Sequence, residues 1–296
     1  MRSVSHRLSF LADPAAFLAV AGGYLEADPV LCSVVASIAQ REAATGQESA
    51  PGSPHWYLSI HTTSDTVVGV AMRTAPHPPH PLFVLPMPDP AATELARTLH
   101  RRGEPVGGVN GALPAAAIVA EETARLAGVT VELAMPTRLY ELRRLVPPTP
   151  VPGALRAATP GDVDLVLDWL DRFHRDADLQ AGREPSPQPP FDPRLVASRV
   201  EAGRYWLWWH GSRPVHLSGV NAVSFGAQRI GPVYTPPEDR GRGWAAAAVA
   251  ELCRRALSAG ARPCLFTDQT NPVSNHLYTA LGFEPVVDMA NLTISR

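Results

Sequence analysis

Cysteine is scarce. Cys32, Cys253 and Cys264 are an odd number at spacings that no metal site uses, which argues against a disulfide framework and a cysteine-built zinc centre. Reduced, mostly buried thiols are the expectation. Histidine offers no metal site either, because His77 and His80 stand in a proline loop without a third ligand nearby. Long apolar runs are also missing. No stretch approaches the ~18 residues of a membrane span, and Asp13-Pro14 interrupts the N-terminal run that a signal peptide would need. Charge is sparse and balanced: charged residues make up 18% of the chain and the net charge is −2, which gives no basis for a nucleic-acid or anionic-membrane partner. The expected location is the cytoplasm.

What is present is apolar side chain, at 45% of 296 residues, enough for two domains with sizeable cores. In the first half, residues 14–44 read as helical, with apolar positions at Phe17, Val20, Leu25, Val30, Val34 and Ile38. A Pro/Gly/Ser break at 50–54 precedes strands at 56–61, 66–72 and 82–85. A helix near 90–102 has Asp89 as its expected cap. A short strand at 106–109, a helix between Pro114 and Gly128, and strands at 129–133 and 138–142 follow. The run Pro147-Pro148-Thr149-Pro150-Val151-Pro152-Gly153 reads as a linker.

The second half opens with a helix from Asp162 to Phe173, a proline-rich loop at 176–193 and a helix near 194–202. Trp206, Trp208 and Trp209 lie in a run apolar on both alternating faces, the pattern of an interior strand, so they read as core. A neighbouring strand follows at 215–220. The two halves share one order: helices, three strands, a helix, a strand, a proline-started helix closed by glycine, and a last strand. This predicts a tandem duplication, divided as 1–146, a linker at 147–153, and 154–296.

The halves differ after the third strand. In the second half Ile230–Thr235 is stopped by Pro236-Pro237, and then Arg240-Gly241-Arg242-Gly243-Trp244-Ala245 runs into the helix former Ala246-Ala247-Ala248-Val249. A glycine turn at a helix start leaves backbone N–H groups unpaired at the positive end of the helix dipole, a site for a phosphate or pyrophosphate. Gly241 and Gly243 let the main chain approach the anion, and Arg240 and Arg242 add charge. The first half has Pro86-Met87-Pro88-Asp89-Pro90 instead, with fewer donors and a repelling carboxylate.

Further on stand Asn271-Pro272-Val273-Ser274-Asn275-His276-Leu277-Tyr278 and Leu281-Gly282-Phe283. Asn271 suits a helix cap, Pro272 the first helical position, and Gly282 the residue past the end. Asn275 and Tyr278 share a face. Together the two clusters resemble the GNAT superfamily of acyl-CoA-dependent N-acyltransferases. Arg240-x-x-Gly243-x-Ala245 is similar to its phosphate-binding signature, and Asn-Pro-x-Ser-Asn-x-x-Tyr-x-x-Leu-Gly-Phe to its next helix and strand.

The resemblance implies an α/β (α+β) protein of two tandem GNAT-like domains, each a mixed, mostly antiparallel central sheet flanked by helices. The first would be degenerate and the second would bind acyl-CoA, most simply acetyl-CoA, with no metal. It implies that Arg240, Gly241, Arg242, Gly243, Trp244 and Ala245 cradle the pyrophosphate, and that the backbone of Val233, Tyr234 and Thr235 pairs with the pantetheine arm. The strand near 264–268 must splay away to admit it. Asn271 and Asn275 would hold the arm or shape the helix end, and Tyr278 would protonate the leaving thiolate, as a phenol of pKa near ~10 is able to do. The acceptor would be a primary amine of a small molecule or peptide, attacking directly. No carboxylate on the 230–235 strand serves as base. Asp176, Glu184, Asp192 and His174 are the weaker candidates, and a CoA-binding sensor without transfer is the alternative reading.

Overall fold

The computed structural model describes residues 6–46, 54–75, 77–185 and 189–295. Most of the 50–54 break and part of the 76–81 and 176–193 loops lie outside the described residues. The elements are β1 (Arg7–Leu11), α1 (Pro14–Ala27), α2 (Ser33–Thr45), β2 (Trp56–His61), β3 (Val67–Arg73), β4 (Leu82–Val84), α3 (Asp89–Arg101), β5 (Gly108–Ala112), α4 (Ala115–Ala127) and β6 (Thr130–Leu142). They continue with β7 (Ala154–Ala157), α5 (Val163–Gln180), α6 (Pro193–Glu201), β8 (Tyr205–His210), β9 (Arg213–Val220), β10 (Ala227–Tyr234), α7 (Trp244–Ser258), β11 (Arg262–Asp268), α8 (Pro272–Ala280) and β12 (Phe283–Ser295). Apart from short 3-10 turns, both halves run β-α-α-β-β-β-α-β-α-β.

The repeat legible in the sequence is therefore present, with one strand ahead of the helices in each half that the sequence does not signal. β1 and β7 are edge strands with half-buried or exposed side chains, so neither shows an apolar alternation. The two strands expected at 129–133 and 138–142 are one, β6. Pro136 lies inside it, at a φ that extended backbone tolerates.

Two compact units form. One is Met1–Leu139 with Val286–Arg296, and the other is Tyr140–Pro285. Residues 286–296 thus join the first unit rather than closing the second. The physical reason is register: β12 pairs antiparallel with β5, Met289 opposite Ala112 and Leu292 opposite Val109. Ala290, Leu292 and Ile294 complete the first unit's core beside Leu58, Val84, Leu95 and Val119.

In the first unit the strand order is β1-β2-β3-β4-β5-β12-β6. Neighbours among the first four are antiparallel, and β4 and β5 are parallel. The second unit carries β7-β8-β9-β10-β11 in the same arrangement, antiparallel except for parallel β10 and β11. Each unit is the mixed, mostly antiparallel sheet with flanking helices that was expected.

In the second unit the sheet separates two apolar layers. Val166, Trp169, Leu170, Val196 and Val200 of α5 and α6 pack on Leu207, Leu217 and Tyr234. Val249, Leu252 and Cys253 of α7 and Tyr278 of α8 pack on Ile230 and Leu265. Trp208 is buried against Val215 and Trp244, while Trp206 packs on the α7–α8 layer. Side chains on both faces of β8 are thus absorbed by core. The 147–153 segment is extended but docked: the Trp208 indole donates to the Pro152 carbonyl at 3.2 Å.

Candidate active site

The site is built where two parallel strands part. β10 and β11 pair at Ala227↔Arg262, Gln228↔Pro263 and Arg229↔Cys264, and there the pairing ends. β10 runs on to Tyr234 and β11 to Asp268. On its other side β10 keeps β9, with Val233 opposite Ser218 and Tyr234 opposite Leu217, after an irregularity between Ile230 and Val233. That irregularity needs Gly219, where a Cβ would come within 2.6 Å of the Gly231 carbonyl oxygen. The edge of residues 230–234 that faces β11 is thereby left without a strand partner. Such an edge accepts an extended chain by main-chain hydrogen bonds.

Past β10 the chain makes a short turn at Pro237–Asp239 and enters α7 through Gly241 and Gly243 at φ +74° and +81°. These left-handed values favour glycine. A Cβ on Gly241 meets open space, whereas one on Gly243 would lie 2.9 Å from a methyl of Val151, so the docked 147–153 segment backs the turn. No side chain caps α7. Its first N–H groups are left without an intrahelical acceptor, an arrangement that suits an anion.

Arg240 is placed differently from a free phosphate ligand. Its Nε donates to the Thr235 carbonyl at 3.0 Å and its terminal nitrogen to Asp176 Oδ2 at 2.9 Å. The Tyr234 hydroxyl donates to the same oxygen at 3.0 Å. Burial, and then this hydrogen bond, push the Tyr234 phenol up to about 12. Arg242 is half exposed, donates to the Glu238 carbonyl at 3.3 Å and lies 3.7 Å from Asp239. Trp244 is buried with its ring 5.0 Å from that of His210. Its side chain is core, and only its backbone belongs to the turn. Ala245 is half-buried in the first turn of α7.

Across the opening, Asn271 caps α8 by accepting from Val273 N and Ser274 N at 3.1 and 3.2 Å. Asn275 Nδ2 donates to the carbonyls of Asp268, Gln269 and Asn271 at 3.0, 3.1 and 2.8 Å, and its Oδ1 is buried without a partner. That oxygen is an unused acceptor beside the end of β11. Tyr278 is 6% exposed, edge-on to Phe283 at 5.8 Å. Burial raises its phenol above the ordinary value, so it holds its proton. Gly282 is indispensable, since a Cβ there would sit 1.9 Å from the Arg144 carbonyl oxygen.

α5 straddles the opening, a placement that no local sequence signal announces. Its last turns are tied to β10 and the glycine turn through Asp176. They are tied to β11 and α8 through Arg183, which pairs with Asp178 at 2.9 Å and with Asp268, and through Gln180, which takes Asn271 Nδ2 at 3.3 Å. These partners are far apart in the chain, and no spacing rule finds them. Of the base candidates, Asp176 is held by Arg240 and Tyr234, Asp192 caps α6 by accepting from Arg194 N at 2.9 Å, and Glu184 is exposed. His174 lies between the rings of Phe173 and Phe191, and burial lowers its pKa, keeping the imidazole neutral. His80 Nδ1 is 2.8 Å from the Ala75 carbonyl oxygen.

Solved structures of GNAT acetyltransferases share this fold over nearly the whole chain. A GNAT-family acetyltransferase from Colwellia psychrerythraea is 11% identical, with 97% of this chain and 98% of that one covered, at TM-score 0.54. A GCN5-related N-acetyltransferase from Sphaerobacter thermophilus is 16% identical, with 99% and 96% covered, at 0.59. A tandem GNAT protein from the clavulanic acid biosynthesis pathway is 14% identical, with 98% of each chain covered, at 0.54. The chain is a tandem GNAT-fold protein. Within it, residues 224–290 match the family described as FR47-like protein. No curated protein matches the sequence.

Proposed function

We propose that the protein is an acyl-CoA-dependent N-acyltransferase, with acetyl-CoA as donor and a primary amine of a small molecule or peptide as acceptor. The observation that carries this reading is the end of β10–β11 pairing at Arg229↔Cys264 directly before the uncapped glycine turn. The residues suit the donor: N–H groups from Gly241 to Ala245 for the pyrophosphate, the free edge at Val233–Thr235 for the arm, and Asn275 Oδ1 for an amide N–H. When bound, acetyl-CoA supplies an acyl group activated as a thioester.

The chain's own residues then do three things. The turn and strand edge fix the donor, so the rate gain comes largely from positioning. In this reading Tyr278 is the general acid for the leaving sulfur; burial raises its phenol, which keeps it protonated in the resting site and makes it a weaker acid than a free phenol. The end of α5 covers the opening and shapes the acceptor's approach. The first unit is the degenerate copy in this reading: β4 and β5 stay paired to the end of β4, at Val84↔Gly111, and the following Pro86-Met87 packs onto Gly69.

The test is release of free CoA thiol from acetyl-CoA with a panel of amines. The chain contains no lysine, all 26 of its Lys+Arg positions being arginine, so lysine self-acylation adds no background. Amine-dependent release supports transfer. Tight CoA binding without release for any amine supports the second reading, a CoA-binding sensor or interaction module. That reading is favoured by one observation: Asp176 and Asp268, the carboxylates at the opening, are both held by arginines.

A further inference from the structure

A buried polar chain runs beside the strand assigned above to the donor. His216 is fully buried on β9. Its Nδ1 lies 2.8 Å from Thr235 Oγ1 and its Nε2 2.7 Å from Ser218 Oγ. Ser218 faces Val233 in the β9–β10 register. Thr235, the first residue past β10, also gives its carbonyl to Arg240 Nε. One residue therefore joins the end of the free strand edge to both the turn and the interior of the sheet. The core around His216 makes the imidazolium unfavourable, and the ring stays neutral far below its usual range. A neutral imidazole has one N–H and one lone pair, so it donates to one hydroxyl and accepts from the other. The two hydroxyls therefore play opposite roles, and the tautomer decides which of them donates to the ring.

We infer that His216 is a positioning residue for the CoA-binding end of β10, acting through Thr235 to hold the strand edge and the start of the glycine turn in one register. The inference rests on the proposed function. His216 touches neither donor nor acceptor. It removes the freedom of Thr235, the pivot between strand and turn, and a pivot free to rotate would misalign two binding elements at once.

The two imidazole nitrogens allow a discriminating experiment. Asparagine places a polar atom near the Nδ1 position and glutamine near the Nε2 position. His216→Asn thus keeps the link to Thr235 and loses that to Ser218, and His216→Gln does the reverse. Thr235→Val, a nearly isosteric change, removes the same link from the other side. The measurement is calorimetric titration of each folded variant with CoA. We expect His216→Gln and Thr235→Val each to weaken CoA about tenfold, the size of one lost buried hydrogen bond. The double variant should be no weaker than either single one, and His216→Asn should retain most of the affinity. Equal affinities for Asn and Gln, or multiplied losses in the double variant, would overturn the role of Thr235 as the link. Wild type that binds CoA with unaffected variants removes this inference alone. Wild type that does not bind CoA removes the proposed function and this role with it.

Discussion

Asp176 Oδ2 accepts two hydrogen bonds, from the Arg240 guanidinium at 2.9 Å and from the Tyr234 hydroxyl at 3.0 Å. One carboxylate on α5 therefore holds the end of β10 and the start of the glycine turn, and its burial makes the loss of either partner costly. Asp176→Ala should destabilise the protein by about 2 kcal/mol, because a buried phenol and a partly buried guanidinium lose their acceptor. Chemical denaturation measures this. A change of a few tenths would mean that α5 is held by its apolar face alone.

Tyr278 has a different kind of role. Its ring packs in the core with Cys253 and Phe283, and a phenylalanine fits the same space. Tyr278→Phe should leave CoA affinity within about twofold and lower kcat about a hundredfold, the scale of a lost general acid. Steady-state kinetics separates the two, and unchanged kcat removes Tyr278 from the mechanism.

The two glycines of the turn should differ in sensitivity. Gly241→Ala meets only its left-handed φ and should cost about 1 kcal/mol. Gly243→Ala meets the same φ and also Val151 at 2.9 Å, so it should cost more and disturb the N–H groups of the turn. Comparing melting temperatures and CoA affinities checks the order. The reverse order would mean that the 147–153 segment yields freely.

His216 sets an acid limit. Burial lowers its pKa to about 3, against ~6.5 in an unfolded chain. Between these values the unfolded state binds the extra proton, so stability rises with pH across that window and is lost as pH falls from ~6.5 towards 3. The slope from this one group is on the order of 1 kcal/mol per pH unit. His216→Asn should flatten the dependence, which denaturation at several pH values measures.

The repeat and the glycine turn are legible because they depend on local rules. Asn271 caps, Pro272 starts and Gly282 must have no side chain, and each follows from the chemistry of a few adjacent residues. The long-range ties are not legible. Nothing near Arg240 in sequence announces Asp176, and the turn motif reads equally well with the arginine free to meet a phosphate. The edge strands Arg7–Leu11 and Ala154–Ala157 carry too little buried side chain to leave a pattern. The place of residues 286–296 depends on pairing with Gly108–Ala112, which no local signal specifies. His216 and Ser218 did leave a trace, since two polar residues spaced by two in an apolar strand share a face.

If the opening between β10 and β11 and the turn at Gly241–Gly243 form one CoA site, each chain binds one acetyl-CoA there. Calorimetric titration of the full chain with acetyl-CoA tests it most directly, with Gly243→Glu as the control. One site per chain is expected, lost when a carboxylate stands against the pyrophosphate position. Absence of binding at millimolar acetyl-CoA, or binding undiminished in Gly243→Glu, would contradict it.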